Sequence, residues 1–185
     1  MTIAENIARI RANMAAAARE AGRDPKEILL VGASKMNDAA ACREAVAAGI
    51  DALGENRVQE MVQKLEQHAY DGAPLHFIGH LQRNKVKQVV GHVALIQSVG
   101  SLELLDEIEK VAAARGLVQD ILLEVNIGRE AAKSGFAPEK VLPAAEASLE
   151  RTHVRVRGLM TIPPADAQRD ANFRYFQEVQ ALYVD

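Results

Sequence analysis

Short apolar runs and longer amphipathic stretches alternate along this chain, and the alternation repeats six times. Each apolar run is short for a helix but has the length of a strand. The first run contains no charge before Lys35, so it predicts a strand that is buried on both faces. Alternation without consecutive strands is typical of parallel βαβ units. The predicted strands are 28–34, 50–53, 75–78, 93–96, 118–127 and 154–162.

Helices are predicted between these strands by apolar residues at helical spacing. Thr2 and Glu5 have the spacing of a capping box at the start of the first helix. The pair at 37–38 and Ser101 are suited to cap later helices. Pro143 either kinks its helix or marks the true start of that helix. The predicted helices cover about 2–21, 39–48, 58–65, 84–90, 102–111 and 138–149, with a last one that carries Phe173, Phe176, Val179 and Leu182.

Two architectures fit this alternation, an open doubly wound sheet and a closed (β/α)8 barrel. No GxGxxG motif follows the first strand, so the dinucleotide-binding form of the open sheet lacks its main marker. We therefore expect an α/β fold of the (β/α)8 TIM barrel type with an N-terminal helix, as one domain over 1–185. Since such a barrel takes about 250 residues, about six of its eight strands are expected here. Polar residues at the strand ends resemble a barrel mouth: Lys35, Asn56, His80, Ser98, Asn126 and Thr161.

Composition excludes several classes of function. The formal net charge is -3 with basic and acidic residues well mixed, so no basic footprint for nucleic acid is present. The apolar runs are far shorter than the roughly 20 residues that span a bilayer, so no membrane association is expected. The chain has one cysteine, Cys42, which cannot form an internal disulfide and fits a reducing cytoplasm.

Lys35 follows the first predicted strand, where parallel α/β proteins place their ligand sites. A lysine that is desolvated at such a position becomes a neutral amine, which is able to attack an aldehyde. The alternative is a solvated lysine that merely ends a strand. The residues around Lys35 leave both interpretations open.

Six segments taken together resemble the pyridoxal-phosphate homeostasis protein family of the YggS/PROSC type. In chain order they are ASK at 33–35, GENRVQE at 54–60, HFIGHLQRNK at 76–85, SVGS at 98–101, EVNIGREAAKSG at 124–135 and RGLMTIP at 157–163. The resemblance extends over essentially the whole chain.

The resemblance implies a barrel like the N-terminal domain of alanine racemase that binds pyridoxal 5′-phosphate. The lysine that matches the Schiff-base lysine of the family is Lys35, and Asn56, His80, Ser98 and Met160 are expected to line the cofactor pocket. Family members are cytoplasmic, largely monomeric and without an established catalytic reaction. Their role is cofactor homeostasis, with pyridoxal-phosphate-dependent apoenzymes as recipients. No catalytic residue is assigned, because no Ser/His/Asp or paired-carboxylate constellation stands out. No metal site is assigned either, because a strand and Gly79 separate His76 from His80 and the two do not share a helical face.

Members of the family continue with two further strands whose loops hold the cofactor phosphate. The barrel is therefore expected to be incomplete at its C-terminal side, and its open strand edges offer a route to self-association or to another chain. The alternative function is a pyridoxal-phosphate-dependent amino-acid racemase of related fold. Racemisation needs a base on each face of the substrate, commonly a lysine and a tyrosine. The tyrosines here, Tyr70, Tyr175 and Tyr183, do not follow predicted strands, which argues against that alternative.

Overall fold

The computed structural model describes residues 1–165 and 168–184. Strands and helices alternate along this part of the chain, with single 3₁₀ turns at Pro25–Glu27, Arg83–Lys85 and Pro138–Lys140. The strands are β1 (Val31–Ala33), β2 (Ala52–Glu55), β3 (Leu75–Phe77), β4 (Leu95–Val99), β5 (Gln119–Val125) and β6 (Val154–Thr161). The helices are α1 (Ile3–Glu20), α2 (Ala39–Ala47), α3 (Val58–Glu66), α4 (Val86–Val89), α5 (Leu102–Arg115), α6 (Val141–Ser148) and α7 (Arg169–Val184).

The described strands form one six-stranded sheet in the consecutive order β1-β2-β3-β4-β5-β6. The pairs β1–β2, β4–β5 and β5–β6 are parallel. A doubly wound sheet reverses its strand order at a switch point, whereas a (β/α)8 barrel keeps neighbouring strands in chain order. The consecutive order therefore confirms the barrel type of α/β fold, with six of its strands in the described chain.

The chain divides into two compact units, Met1–His76 and Phe77–Asp185. In the first unit, α1 begins with the predicted capping box. The backbone N–H of Glu5 donates to Thr2 Oγ1 at 3.1 Å, and the N–H of Thr2 donates to Glu5 Oε2 at 2.8 Å. Cys42, on α2, is buried.

The prediction for the first strand was wrong in its length and its burial. β1 covers Val31–Ala33 instead of 28–34, and its residues are half-buried or exposed. In the described sheet order β1 is a terminal strand, with β2 as its neighbour on one side. A strand with a neighbour on one side is not enclosed as a central parallel strand is, and this explains the low burial of its apolar residues.

In the second unit, β5 provides the centre of the core. Its burial alternates along the strand, with Ile121, Leu123 and Val125 fully enclosed. The helix predicted over 138–149 consists of a 3₁₀ turn followed by α6. Pro143 is the third residue of α6, where the missing N–H removes no intrahelical hydrogen bond, so it belongs to the start of the helix and does not kink it.

The last helix, α7, uses part of the predicted apolar series. Val179 and Leu182 pack with Tyr175 against the core cluster around Val125. Phe173 and Phe176 stay exposed, at 64% and 54% of their accessible surface. The apolar pattern therefore identified the helix correctly but included two residues that point away from this cluster.

Candidate functional site

Lys35 lies just beyond the carboxyl end of β1. The backbone N–H of Ser34 donates to Gly54 O at 2.8 Å, which extends the ladder between β1 and β2 by one residue. Lys35 follows with an exposed side chain. Met36 then takes a left-handed backbone conformation with φ +63°. The amine is thus presented at the strand end as predicted, but protein atoms in the described chain do not desolvate it.

A buried polar cluster lies directly behind this turn, formed by Ser34, Glu55, Lys64 and Tyr70. Lys64 Nζ lies 2.7 Å from Glu55 Oε2 and donates to Ser34 O at 2.7 Å. Ser34 Oγ and Tyr70 OH also donate to Glu55 Oε2, at 3.0 and 3.3 Å. Burial raises the pKa of Tyr70. The cluster joins the ends of β1 and β2 to helix α3, and each of its polar groups has a partner.

Glu60, one turn before Lys64 on α3, contacts the other side of the Lys35 turn. The N–H of Met36 donates to Glu60 Oε2 at 3.0 Å, and this bond is the main reason why the pKa of Glu60 lies below its usual value. Arg57 and Lys64 also pair with Glu60, at 3.2 and 3.5 Å. Glu60 belongs to the GENRVQE segment, but no role was predicted for it. Since buried lysines are rare, the burial of Lys64 was not predicted either.

Asn56 follows β2, as predicted, and belongs to the same unit as Lys35. Its backbone N–H donates to Glu55 Oε1 at 2.8 Å. Its side-chain oxygen Oδ1 is buried and has no hydrogen-bond partner within residues 1–165 and 168–184. An unpaired buried carbonyl costs free energy unless something donates to it. The residues of this strand end therefore fit a ligand that reacts with an amine and brings a hydrogen-bond donor.

Three further predicted site residues lie in the second unit. His80 is exposed and follows β3. Ser98 is buried, and it lies within β4 because that strand ends at Val99, three residues beyond the predicted end at 96. Its hydroxyl donates to Gly79 O at 2.5 Å. Met160 is half-buried on β6 and pairs in register with Glu124 of β5.

The second unit contains two cavities at the carboxyl ends of its strands. One has a volume of about 630 Å³ and brings His80 and Ser98 together with Arg83 and Ser101. The other has a volume of about 550 Å³ and is lined by His80, Glu124, Asn126, Lys133, Ser134 and Ile162 among others. Met160 lines neither of these two cavities. Of the residues predicted to line the cofactor pocket, His80 lines both cavities.

The loop after β5 is tightly folded onto the loop after β4. Ser134 Oγ donates to both carboxylate oxygens of Glu124, at 3.2 and 3.1 Å. A Cβ atom on Gly100 would lie 2.6 Å from the backbone nitrogen of Gly135, so a larger residue does not fit there. Lys133 carries a second amine near the carboxyl ends of the strands, where it lines the smaller cavity and pairs with Glu130 at 2.6 Å.

Two further properties of the described residues bear on the class of site. In the described ranges, no group of three or more His, Cys, Asp or Glu residues is arranged to hold a metal ion. Within the same ranges, no helix combines the length and the apolar character needed to cross a membrane.

Known proteins similar to this chain identify the class of protein to which it belongs. Residues 6–184 match the family described as alanine racemase, N-terminal domain, which agrees with the parallel strands in consecutive order. The chain is also 40% identical over 184 residues to the pyridoxal phosphate homeostasis protein of Pseudomonas aeruginosa, covering 100% of this chain and 80% of the relative. The protein of the same name from Aquifex aeolicus is 40% identical over 182 residues, covering 98% and 80%.

Among solved structures, PipY of Synechococcus elongatus PCC7942 with PLP bound is similar at a TM-score of 0.84 and 28% identity, covering 99% of this chain and 81% of that one. The chain described here belongs to the pyridoxal phosphate homeostasis protein family.

Proposed function

We propose that this chain is a pyridoxal 5′-phosphate binding protein of cofactor homeostasis and that it holds the cofactor as a Schiff base on Lys35. The observation that carries the proposal is the exposed amine of Lys35 at the carboxyl end of β1, in the same unit as the unpaired carbonyl oxygen of Asn56. The names of the relatives and the bound PLP in PipY support the choice of ligand.

Pyridoxal 5′-phosphate supplies an aldehyde that condenses reversibly with primary amines. The neutral amine of Lys35 attacks the aldehyde carbon, a C=N bond replaces the C=O bond, and the aldehyde oxygen leaves as water. Because Lys35 is exposed, water reaches this bond and hydrolysis reverses it. Covalent but reversible attachment is what a carrier of a reactive aldehyde needs.

The other residues predicted to contact the cofactor are given roles that agree with their surroundings. Asn56 accepts a hydrogen bond from the bound cofactor through Oδ1. His80 and Ser98, which share a cavity in the second unit, and the half-buried Met160 are proposed as further pocket residues. Since Ser98 already donates to Gly79 O, its oxygen is left as an acceptor.

A carrier role is favoured over racemisation. Tyr70 is buried and bonded to Glu55, while Tyr175 and Tyr183 are on α7, so no tyrosine of the described chain follows a strand. The proposal includes a cytoplasmic location, function of residues 1–185 as one cofactor-binding domain, a monomeric state, and delivery to pyridoxal-phosphate-dependent apoenzymes. Assay of D/L amino-acid interconversion with saturating cofactor tests the racemase alternative, and robust turnover would overturn the carrier role.

The covalent step is tested by borohydride reduction of the protein mixed with pyridoxal 5′-phosphate, followed by peptide mass spectrometry. We expect one adduct on Lys35. Lys35→Arg should abolish it, whereas Lys133→Arg, which alters the second amine while keeping its charge, should leave it unchanged. A full adduct in Lys35→Arg, or an adduct confined to another lysine, would contradict the assignment.

A further inference from the structure

Two side chains of helix α3 form hydrogen bonds with the backbone on either side of Lys35. On the N-terminal side, Lys64 Nζ donates to the carbonyl oxygen of Ser34 at 2.7 Å. On the C-terminal side, Glu60 Oε2 accepts from the N–H of Met36 at 3.0 Å. The two side chains are one helical turn apart and pair with each other at 3.5 Å. The peptide groups that flank Lys35 are therefore fixed by one rigid element.

The turn needs such support because of its backbone conformation. Met36 has φ +63°, a left-handed value that residues with a Cβ atom rarely adopt. A strained conformation persists only where its surroundings impose it. The bond from Met36 to Glu60 meets this requirement, and it is charge-assisted, which makes it stronger than a bond between neutral groups.

Lys64 is itself held in place. Its side chain is 8% exposed, and the carboxylate of Glu55 that it contacts is 0% exposed. Ser34 Oγ and Tyr70 OH donate to that carboxylate as well. Long lysine side chains lose considerable conformational freedom when they are fixed, so the burial of Lys64 carries a cost. Its geometric effect is to hold the Ser34 carbonyl and hence the start of the turn.

We propose that Glu60 and Lys64 are positioning residues that fix the direction in which Lys35 leaves the backbone, so that its amine meets a bound aldehyde without a search of backbone conformations. The proposal rests on the proposed Schiff-base role of Lys35. The proposal gives neither residue a contact with the cofactor. They act through the Ser34 carbonyl and the Met36 N–H.

Substitutions of Glu60 separate the hydrogen bond from the charge. Glu60→Ala removes the acceptor for Met36 N–H, whereas Glu60→Gln keeps an oxygen at the same place. We expect Glu60→Ala to slow formation of the imine absorption band, after mixing with pyridoxal 5′-phosphate, by about tenfold to 100-fold, the range that misplacement of a reacting group by about 1 Å gives. Glu60→Gln should stay within about threefold of the unaltered protein, because neutral hydrogen bonds retain most of the geometry.

Glu66→Ala is the matched control. Glu66 is on the same helix and is exposed, and its side chain makes no hydrogen bond or ion pair within the described residues. Its substitution should leave the rate unchanged. Equal rates for Glu60→Ala and Glu66→Ala, with Lys35 labelled in both, would overturn the role of Glu60. If the unaltered protein forms no adduct on Lys35, the Schiff-base proposal itself fails, so the two failures are distinguishable.

Lys64 requires a double variant because Lys64→Met alone leaves the Glu55 carboxylate buried without its cation. In Glu55→Gln/Lys64→Met both charges are gone. The glutamine oxygen can still accept from Ser34 Oγ and Tyr70 OH, while its amide nitrogen replaces the oxygen that accepts from the Asn56 N–H. We expect its thermal unfolding midpoint to recover toward the unaltered value while imine formation stays at least about tenfold slow, since the Ser34 carbonyl is no longer held. Recovery of the rate together with the midpoint would show that Lys64 is merely structural and would overturn its positioning role.

Discussion

The ammonium of Lys64 lies 2.7 Å from the carboxylate of Glu55, and both side chains are almost completely enclosed. Such a pair is held by mutual attraction and by its other hydrogen bonds, because neither charge has access to water. Lys64 also contacts the Ser34 carbonyl and Glu60, and Glu55 also accepts from the Ser34 hydroxyl, the Tyr70 hydroxyl and the Asn56 N–H. The pair is therefore intolerant of the loss of one member.

Lys64→Met is expected to lower the free energy of unfolding by about 3–5 kcal/mol, the usual cost of leaving a buried charge uncompensated. Urea denaturation followed by circular dichroism measures the loss. Lys110→Met serves as the control, since Lys110 is exposed and only weakly paired with Glu107 at 3.8 Å. A loss below about 1 kcal/mol for Lys64→Met, in the range of exposed pairs, would contradict the buried pair.

Gly100→Ala is expected to destabilise the second unit by about 1–3 kcal/mol, because overpacking forces the backbone to move. The added Cβ would lie 2.6 Å from Gly135 N and 2.8 Å from Gly135 Cα. Gly32→Ala is the matched control, since its Cβ would meet side chains no closer than 3.4 Å. Thermal or urea unfolding of the two variants should separate them clearly, and equal effects would argue against the close approach of the two loops.

At position 36 we expect glycine to be tolerated better than valine, because the backbone there is left-handed. Met36→Val should destabilise the protein by about 1–2 kcal/mol, because a β-branched residue is poorly accommodated at φ +63°. Met36→Gly should be close to neutral, since relief of strain and the added freedom of the unfolded chain offset each other. The urea concentration at the unfolding midpoint measures both effects. A higher midpoint for Met36→Val than for Met36→Gly would be incompatible with the left-handed turn.

Asp51 gives a prediction for acid pH. The hydrogen bond from Arg11 at 2.9 Å, supported by one from the Leu30 N–H at 2.6 Å, lowers the pKa of Asp51 below its ordinary value of 3.8. A carboxylate with a lowered folded-state pKa stabilises the protein above the unfolded value, and this contribution disappears as the pH falls through the folded value.

The stability difference between the unaltered protein and Asp51→Asn should therefore be constant above about pH 5 and shrink below pH 3.8. Urea denaturation at a series of pH values measures it. Asp71→Asn is the control, because Asp71 is exposed and pairs with the equally exposed His68. A difference that grows as the pH is lowered would have the wrong sign and would refute the linkage.

Features set by neighbouring residues were predictable from the sequence. Thr2 and Ser101 cap their helices as expected, because capping depends on residues within one turn. The place of Lys35 after a parallel strand and the barrel type of fold followed from the alternation of strands and helices. The position of Asn56 directly after β2 was also predicted, although its unpaired oxygen could be found only in the structure.

Features set by distant contacts were not predictable. Only three residues of the apolar run at 28–34 form β1, because the strand extends only as far as its backbone pairs with β2. Burial of Lys64 depends on Glu55 and on the turn at Ser34, which are near it only in the folded chain. The exposure of Phe173 depends on which side of α7 meets the core, and apolar periodicity does not specify this.

The single thiol of the chain, on α2, is enclosed at 2% exposure, and burial raises the pKa of Cys42. A thiol kept protonated and out of reach does not compete with amines for an aldehyde. Alkylating reagents should consequently modify this sulfur only when the first unit opens. The chain thus carries an internal reporter whose labelling rate measures the opening of the unit that contains Lys35, without any engineered probe.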